Sequence, residues 1–218
     1  MSSFSEYEFE FKGSKIYLFG IVKGLVSEAE RLEGILEGVE FEVGALPISD
    51  EEIKGLKEFM NNEDLDIEVE PSRPEKAYAQ KLSKFGEVIM PPPSFTAFIK
   101  YCSEHDIETV AIDMDEEHYT MAYCDYVTGF QWIRQSIREK GLFGKEIDAD
   151  NPVDFVKKWD AFINKLKGFQ KLEDYREKVM AKNILRLSKR GDLVVIVEEE
   201  RIDGVRRRLN KAHDKNKD

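Results

Sequence analysis

Hydrophobic and polar residues alternate one by one near the start of the chain, with Tyr7, Phe9 and Phe11 on one side and Glu6, Glu8 and Glu10 on the other. A period of two is the pattern of a strand with one buried face. Lys12-Gly13-Ser14 supplies a turn and residues 15–20 are more uniformly apolar, so the segment predicts a hairpin whose second strand is the inner one. Beyond it the period lengthens. Ser27 stands where a cap is needed for a helix to about residue 37, with Leu32, Ile35 and Leu36 facing inward. Residues 39–43 read as a short strand. Ser49-Asp50-Glu51-Glu52 has the form of a capping box that opens a helix to about residue 60.

Residues 61–73 are polar and acidic, a surface loop with a short strand at 67–69. Residues 75–85 predict an amphipathic helix, and Pro91-Pro92-Pro93 a stiff connector, since proline has no amide hydrogen for a helix interior. Ser94 is read as the cap of a helix to about residue 105, followed by an apolar strand over 109–113 that ends in Asp113. From Glu116 onward, Tyr119, Tyr123, Tyr126, Phe130, Ile133 and Ile137 recur at three- and four-residue spacing, which predicts one long helix with its apolar face in the core. Asn151-Pro152 opens another helix in the favoured order of cap, then proline. The C-terminal stretch reads as helix, all-apolar strand to Val197, the loop Glu198-Glu199-Glu200-Arg201, and a final helix.

Helices alternating with short apolar strands predict one α/β domain over residues 1–218. It has a mostly parallel or mixed central sheet, an N-terminal β-hairpin, helices on both faces and a charged tail at 212–218. A hydrophobic content of 41% argues for a folded chain, while a net charge of −11 excludes the broad basic footprint that nucleic-acid binding requires. The charged fraction of 35%, against an ordinary value of about 25%, is the pattern of a thermophilic source. Cys102 and Cys124 stand in no CxxC pattern and read as two reduced, buried thiols. The start of the chain is acidic rather than basic and apolar, and no apolar run approaches the roughly 20 residues needed to span a bilayer. These observations predict a cytoplasmic protein without a membrane partner.

Candidate chemistry follows from the strand ends, where open α/β sheets bind ligands. Lys23, Glu42, Asp113 and Arg201 each fall at or just past a predicted strand's C-terminal end, so their side chains would converge if the strands are neighbours. Mixed charges in a cleft suit a polar substrate, and they equally describe an inert ion-paired surface. Glu198, Glu199 and Glu200 are placed to pair with Arg206, Arg207 and Arg208 on the next helix. His105 and His118 read as solvated surface residues with no metal-ligand spacing, and no Walker loop, nucleophile elbow or dinucleotide-binding turn is present.

The order of these elements resembles the TraB/PrgY group, related to Tiki/GumN-type metalloproteases and more distantly to erythromycin esterases and ChaN-like haem-binding proteins. A Gly-x-x-His motif after the family's first strand is matched by Gly20-Ile21-Val22-Lys23. The Glu-Leu-Asp and Ile-Asp-Arg strand ends are matched by Glu42-Val43-Gly44 and Ile112-Asp113-Met114. The helix motif Asp-Glu-Arg-x-x-x-Met-Ala is similar to the stretch holding Asp174, Arg176, Met180 and Ala181. The Val-Gly-x-Gly-His-x-x-Gly motif after the next strand is similar to Val197 through Arg201 to Gly204. The resemblance implies a divalent metal, but both family histidines are cations here, Lys23 and Arg201, and neither ligates a metal at neutral pH. It therefore implies the scaffold without the cofactor: a regulatory or binding pseudoenzyme, whose partner is a small molecule or a protein and which forms a homodimer. The alternative is a divergent hydrolase for an anionic or peptide substrate, with Glu42 or Asp113 as base and Lys23, Arg176 and Arg201 holding the substrate.

Overall fold

The N-terminal hairpin forms as the alternation requires. Strands β1 (Glu6–Phe11) and β2 (Ser14–Ile21) pair antiparallel with Phe11 opposite Ser14. The two-residue turn puts Lys12 at φ 55° and Gly13 at φ 89°, the doubly left-handed turn whose twist matches a hairpin. The computed structural model describes residues 5–61 and 71–214. The strand anticipated at 67–69 and the end of the tail, 215–218, lie outside them.

Three further strands complete a five-stranded sheet in the order β1-β2-β5-β3-β4: β3 (Val43–Leu46), β4 (Glu108–Ala111) and β5 (Leu193–Glu198). All pairings beyond the hairpin are parallel. The helices are α1 (Ser27–Leu36), α2 (Asp50–Asn61), α3 (Arg73–Leu82), α4 (Pro93–Glu104), α5 (Glu116–Tyr126), α6 (Gly129–Glu139), α7 (Pro152–Ile163), α8 (Lys167–Leu187) and α9 (Ile202–Asp214). Thus 212–214 close a helix instead of beginning a tail. None of the described helices is long and apolar enough to cross a membrane.

β5 is the last strand made yet sits between β2 and β3, so both its edges are paired, helices cover both its faces, and all six of its residues are buried. Its side chains divide the core by parity. Leu193, Val195 and Val197 join Met180, Ile184, Val205 and Leu209 of α8 and α9 on one face. Val194 and Ile196 join Leu32, Phe95 and Phe98 of α1 and α4 on the other. Close helix–sheet contact explains Gly44, where a Cβ would stand 2.7 Å from Cys102 Sγ and 3.0 Å from the Phe98 ring. A third cluster, with Leu25, Leu82, Phe155 and Trp159, packs α3 and α7 together beside the end of β2.

Four local expectations are corrected. Ser27 lies inside α1, whose cap residue is Val26 and makes no side-chain cap bond. Pro93 takes the first position of α4, so Ser94 is buried within the helix and not its cap. Cys102 is buried, its thiol pushed up to about 11 by burial, but Cys124 is exposed. The single long helix from Glu116 is two: Thr128 forms a capping box with Gln131 and starts α6 afresh.

Candidate functional site

β2, β5, β3 and β4 run in parallel, so their C-terminal ends form one edge. Lys23 follows β2, Arg201 follows β5, and Asp113 follows β4. Glu42 does not belong there. β3 starts at Val43 and runs on through Gly44, Ala45 and Leu46, so Glu42 precedes the strand instead of ending it. The alternation of Val39, Phe41 and Val43 imitated a half-buried strand, whereas the strand that formed is buried at all four positions. The Glu42 carboxylate accepts the Asp192 amide, at the opposite end of the sheet from Lys23 and Arg201. It fastens the entry to β5.

Asp113 and Arg176 do meet. The Arg176 Nε donates to Asp113 Oδ2 at 3.0 Å and its Nη2 to the same oxygen, while Asp113 Oδ1 accepts the Met114 amide at 2.8 Å. Arg176 Nη1 reaches Glu173 Oε2 at 2.9 Å. Glu173 and Arg176 lie one turn apart on the first half of α8, a spacing that puts both on one helix face. The Arg176 guanidinium feels burial, which weakens its charge, but Glu173, Asp113 and Glu198 together hold it firmly protonated.

Arg201 is buried at 6% exposure and is consumed by carboxylates. It pairs with Asp160 of α7, and stands 3.5 Å from both Glu173 and Glu177. Burial lowers it to about 10, still a cation at neutral pH. Glu173 Oε2 serves both arginines, so the pairs run continuously from Asp160 through Arg201, Glu173 and Arg176 to Asp113. Beside this run, Asp160, Asn164, Gln170, Glu173 and Arg201 line a cleft of about 240 Å³.

The three glutamates after Val197 do not pair with the arginines of α9. Arg208 bonds Asp174 and Glu177, and Arg206 lies over the Tyr7 ring at 4.3 Å. Glu199 is fully buried and structural: it accepts from the Ser5 amide and hydroxyl and pairs with Lys157 at 3.1 Å. Gly20 lets that carboxylate in, since a Cβ there would collide with it.

Glu198 and Glu200 are different. Among the described residues nothing donates to Glu198 Oε2 or Glu200 Oε2, and both oxygens are shut off from solvent. Burial raises both carboxyls. Glu200 is pushed up to about 8 by burial and then by the charge of Glu198, with Lys23 opposing. Tyr78 closes the set: its hydroxyl donates to the Lys23 carbonyl at 2.9 Å, and burial with Glu200, Glu198 and Glu28 around it keeps it protonated well above its ordinary range. Tyr119 is likewise raised, by burial and by Glu173.

Four carboxyls (Asp113, Glu173, Glu198, Glu200) thus share one charge environment with two cations, Lys23 and Arg176. The sequence placed Lys23, Asp113 and Arg201 at this edge, along with Glu42, which lies elsewhere, and the resemblance added Arg176 from a helix. It did not single out Glu173, Glu198 or Glu200 as ligand-facing groups, although three consecutive acids directly after an all-apolar strand were the signal. Among the described residues no group of three or more His, Cys, Asp or Glu side chains is arranged to hold a metal ion. Compared with known protein families and with curated proteins, the sequence matches none.

Proposed function

We propose that this chain is a binding or regulatory protein on a TraB/PrgY-like scaffold whose metal chemistry has given way to a buried carboxyl pair. Its ligand is a small molecule bearing a cationic hydrogen-bond donor such as an amine. One observation carries this reading: Glu198 and Glu200 each bury an oxygen that no group among the described residues satisfies, in surroundings with more acids than bases. Leaving such oxygens unpaired costs about 1–3 kcal/mol each, more where charged. A donor from a ligand would recover that cost. An ammonium group would also draw the proton off Glu200, because a nearby positive charge favours the ionised form.

Two observations weigh against the anion-clamp hydrolase. Glu42 lies at the far end of the sheet, and Asp160 already neutralises Arg201. A second catalytic reading is favoured by Glu200 itself, since a carboxyl near 8 is poised for general acid–base work at neutral pH. Retained binding with turnover abolished in Glu200→Gln would favour it.

Putrescine at millimolar concentration is the probe. It is expected to raise the melting temperature of the native protein at pH 7.5, by the mass-action stabilisation that any native-state ligand gives. Glu198→Gln should lose that response. Elemental analysis is expected to find no stoichiometric Mn, Co or Zn. A metal bound one to one, and lost in Asp113→Ala, would overturn the proposal, as would an equal response to putrescine in native and variant proteins.

A further inference from the structure

A third buried carboxyl oxygen belongs to Glu28, in the first turn of α1 and 1% exposed. Its Oε2 accepts the Val22 amide at 3.1 Å and Arg31 Nη2 at 3.0 Å, which fixes the carboxyl group in place. Nothing among the described residues donates to its Oε1, and that atom too is shut off from solvent. Arg31 neutralises Glu28 only in part, because the same guanidinium also serves the Gly20 carbonyl and Glu6. Burial still raises the Glu28 carboxyl, with Arg31 opposing and Glu199 adding to the rise.

Backbone contacts place Glu28 beside the carboxyl pair. Ile21 ends β2, pairs with Glu198 across the sheet, and accepts the Glu199 amide on its carbonyl at 2.8 Å. The next residue, Val22, gives its amide to Glu28. The one after it, Lys23, accepts the Tyr78 hydroxyl on its carbonyl. Thus α1, α3 and the loop after β5 all grip Ile21 to Lys23, a stretch that spans at most about 7 Å between its end Cα atoms. Tyr78 stands among the three acids: after burial, the charges of Glu200, Glu198 and Glu28 are what keep its hydroxyl protonated.

We propose that Glu28 is the second recognition group of the amine site and that the ligand is a short aliphatic diamine, one ammonium held by Glu198 and Glu200 and the other donating to Glu28 Oε1. This rests on the proposed amine site at Glu198 and Glu200. Among the described residues the acids do not converge as a group arranged for a metal ion, so one compact dication cannot serve all three oxygens. Two ammonium groups joined by a chain can serve carboxyls that stand apart. Each ammonium brings three donors and no acceptor, the complement of a carboxylate, which only accepts.

Isothermal titration calorimetry on the full chain at pH 7.5, with putrescine and n-butylamine as probes, tests this. The two share a four-carbon chain and differ by one ammonium group. Putrescine is expected to bind at least about tenfold more tightly, the scale of one hydrogen bond to a charged group. In Glu28→Gln that preference should disappear, with n-butylamine bound as in the native protein. A series of α,ω-diamines of increasing length needs no variant: the native protein should favour one length, because fixed carboxyls set the distance between the ammonium groups. Equal affinity for the two probes would overturn the proposal while leaving the amine site standing. So would a putrescine preference that survives in Glu28→Gln, or affinity that rises steadily with each added methylene. If neither amine binds, the amine site itself falls and this proposal falls with it.

Discussion

Arg176→Met is expected to destabilise the fold by about 3–5 kcal/mol, the ordinary cost of removing one partner from a buried ion pair. Arg176 is the cation that Asp113, Glu173 and Glu198 share, and losing it leaves three carboxylates facing one another. The loss therefore depends on pH. It should be larger at pH 8 than at pH 5, because burial raises Glu173 and Glu198 and protonating them relieves the repulsion. Urea denaturation of native and variant proteins at the two pH values measures it. An equal loss at both would show that packing of the side chain, and not its charge, holds the cluster.

The second large effect runs the other way. Glu200→Gln is expected to stabilise the protein at alkaline pH. In the unfolded chain Glu200 gives up its proton near 4.5, while in the fold it holds it to about 8. Between those values the folded state binds more protons than the unfolded one, so stability falls as pH rises through the window. The slope is up to about 1.4 kcal/mol per pH unit from this one group. Below pH 4 the group is protonated in both states and contributes nothing. Glutamine keeps the shape and removes the titration, so the two denaturation curves should coincide near pH 4 and separate steadily to pH 8. Glu28, Glu173, Glu177 and Glu198 are also raised by burial. Glu28 and Glu177 cancel in the difference between the curves, which reports Glu200 together with Glu198 and Glu173, the two carboxyls whose charges act on it.

By this linkage Glu200 costs stability at neutral pH. Function commonly sits where local rules of stability are broken. Glu199, its neighbour, shows the contrast. More deeply buried, it meets a hydroxyl, an amide and a lysine, and it ties the start of the N-terminal hairpin to α7. Adjacent glutamates in one short loop thus differ: Glu199 is paired, while Glu200 keeps a buried oxygen with no donor among the described residues.

Much of this architecture was legible in the sequence because periodicity reports burial. The alternation in β1, the all-apolar run of β5 and the cap-then-proline start of α7 each formed where the pattern put them. The errors have physical causes too. β3 was misplaced because the buried run Val43–Leu46 contains a glycine needed for close packing on α4, and a glycine lowers the strand signal. That shift of a few residues carried Glu42 from one end of the sheet to the other. The stripe through Phe130, Ile133 and Ile137 was read as core because periodicity identifies an apolar face without saying what covers it. The pairing of Asp113 with Arg176 joins residues 63 positions apart and needed the fold to be seen.

The central claim is that Glu198 and Glu200 form a buried carboxyl pair with a proton held at neutral pH. Carbon-13 NMR of glutamate side-chain carboxyls, followed from pH 5 to 10, tests it directly. The expected result is one resonance titrating near pH 8, absent in Glu200→Gln and shifted to lower pH by added putrescine. A spectrum in which every glutamate carboxyl is ionised by pH 6 would contradict the claim.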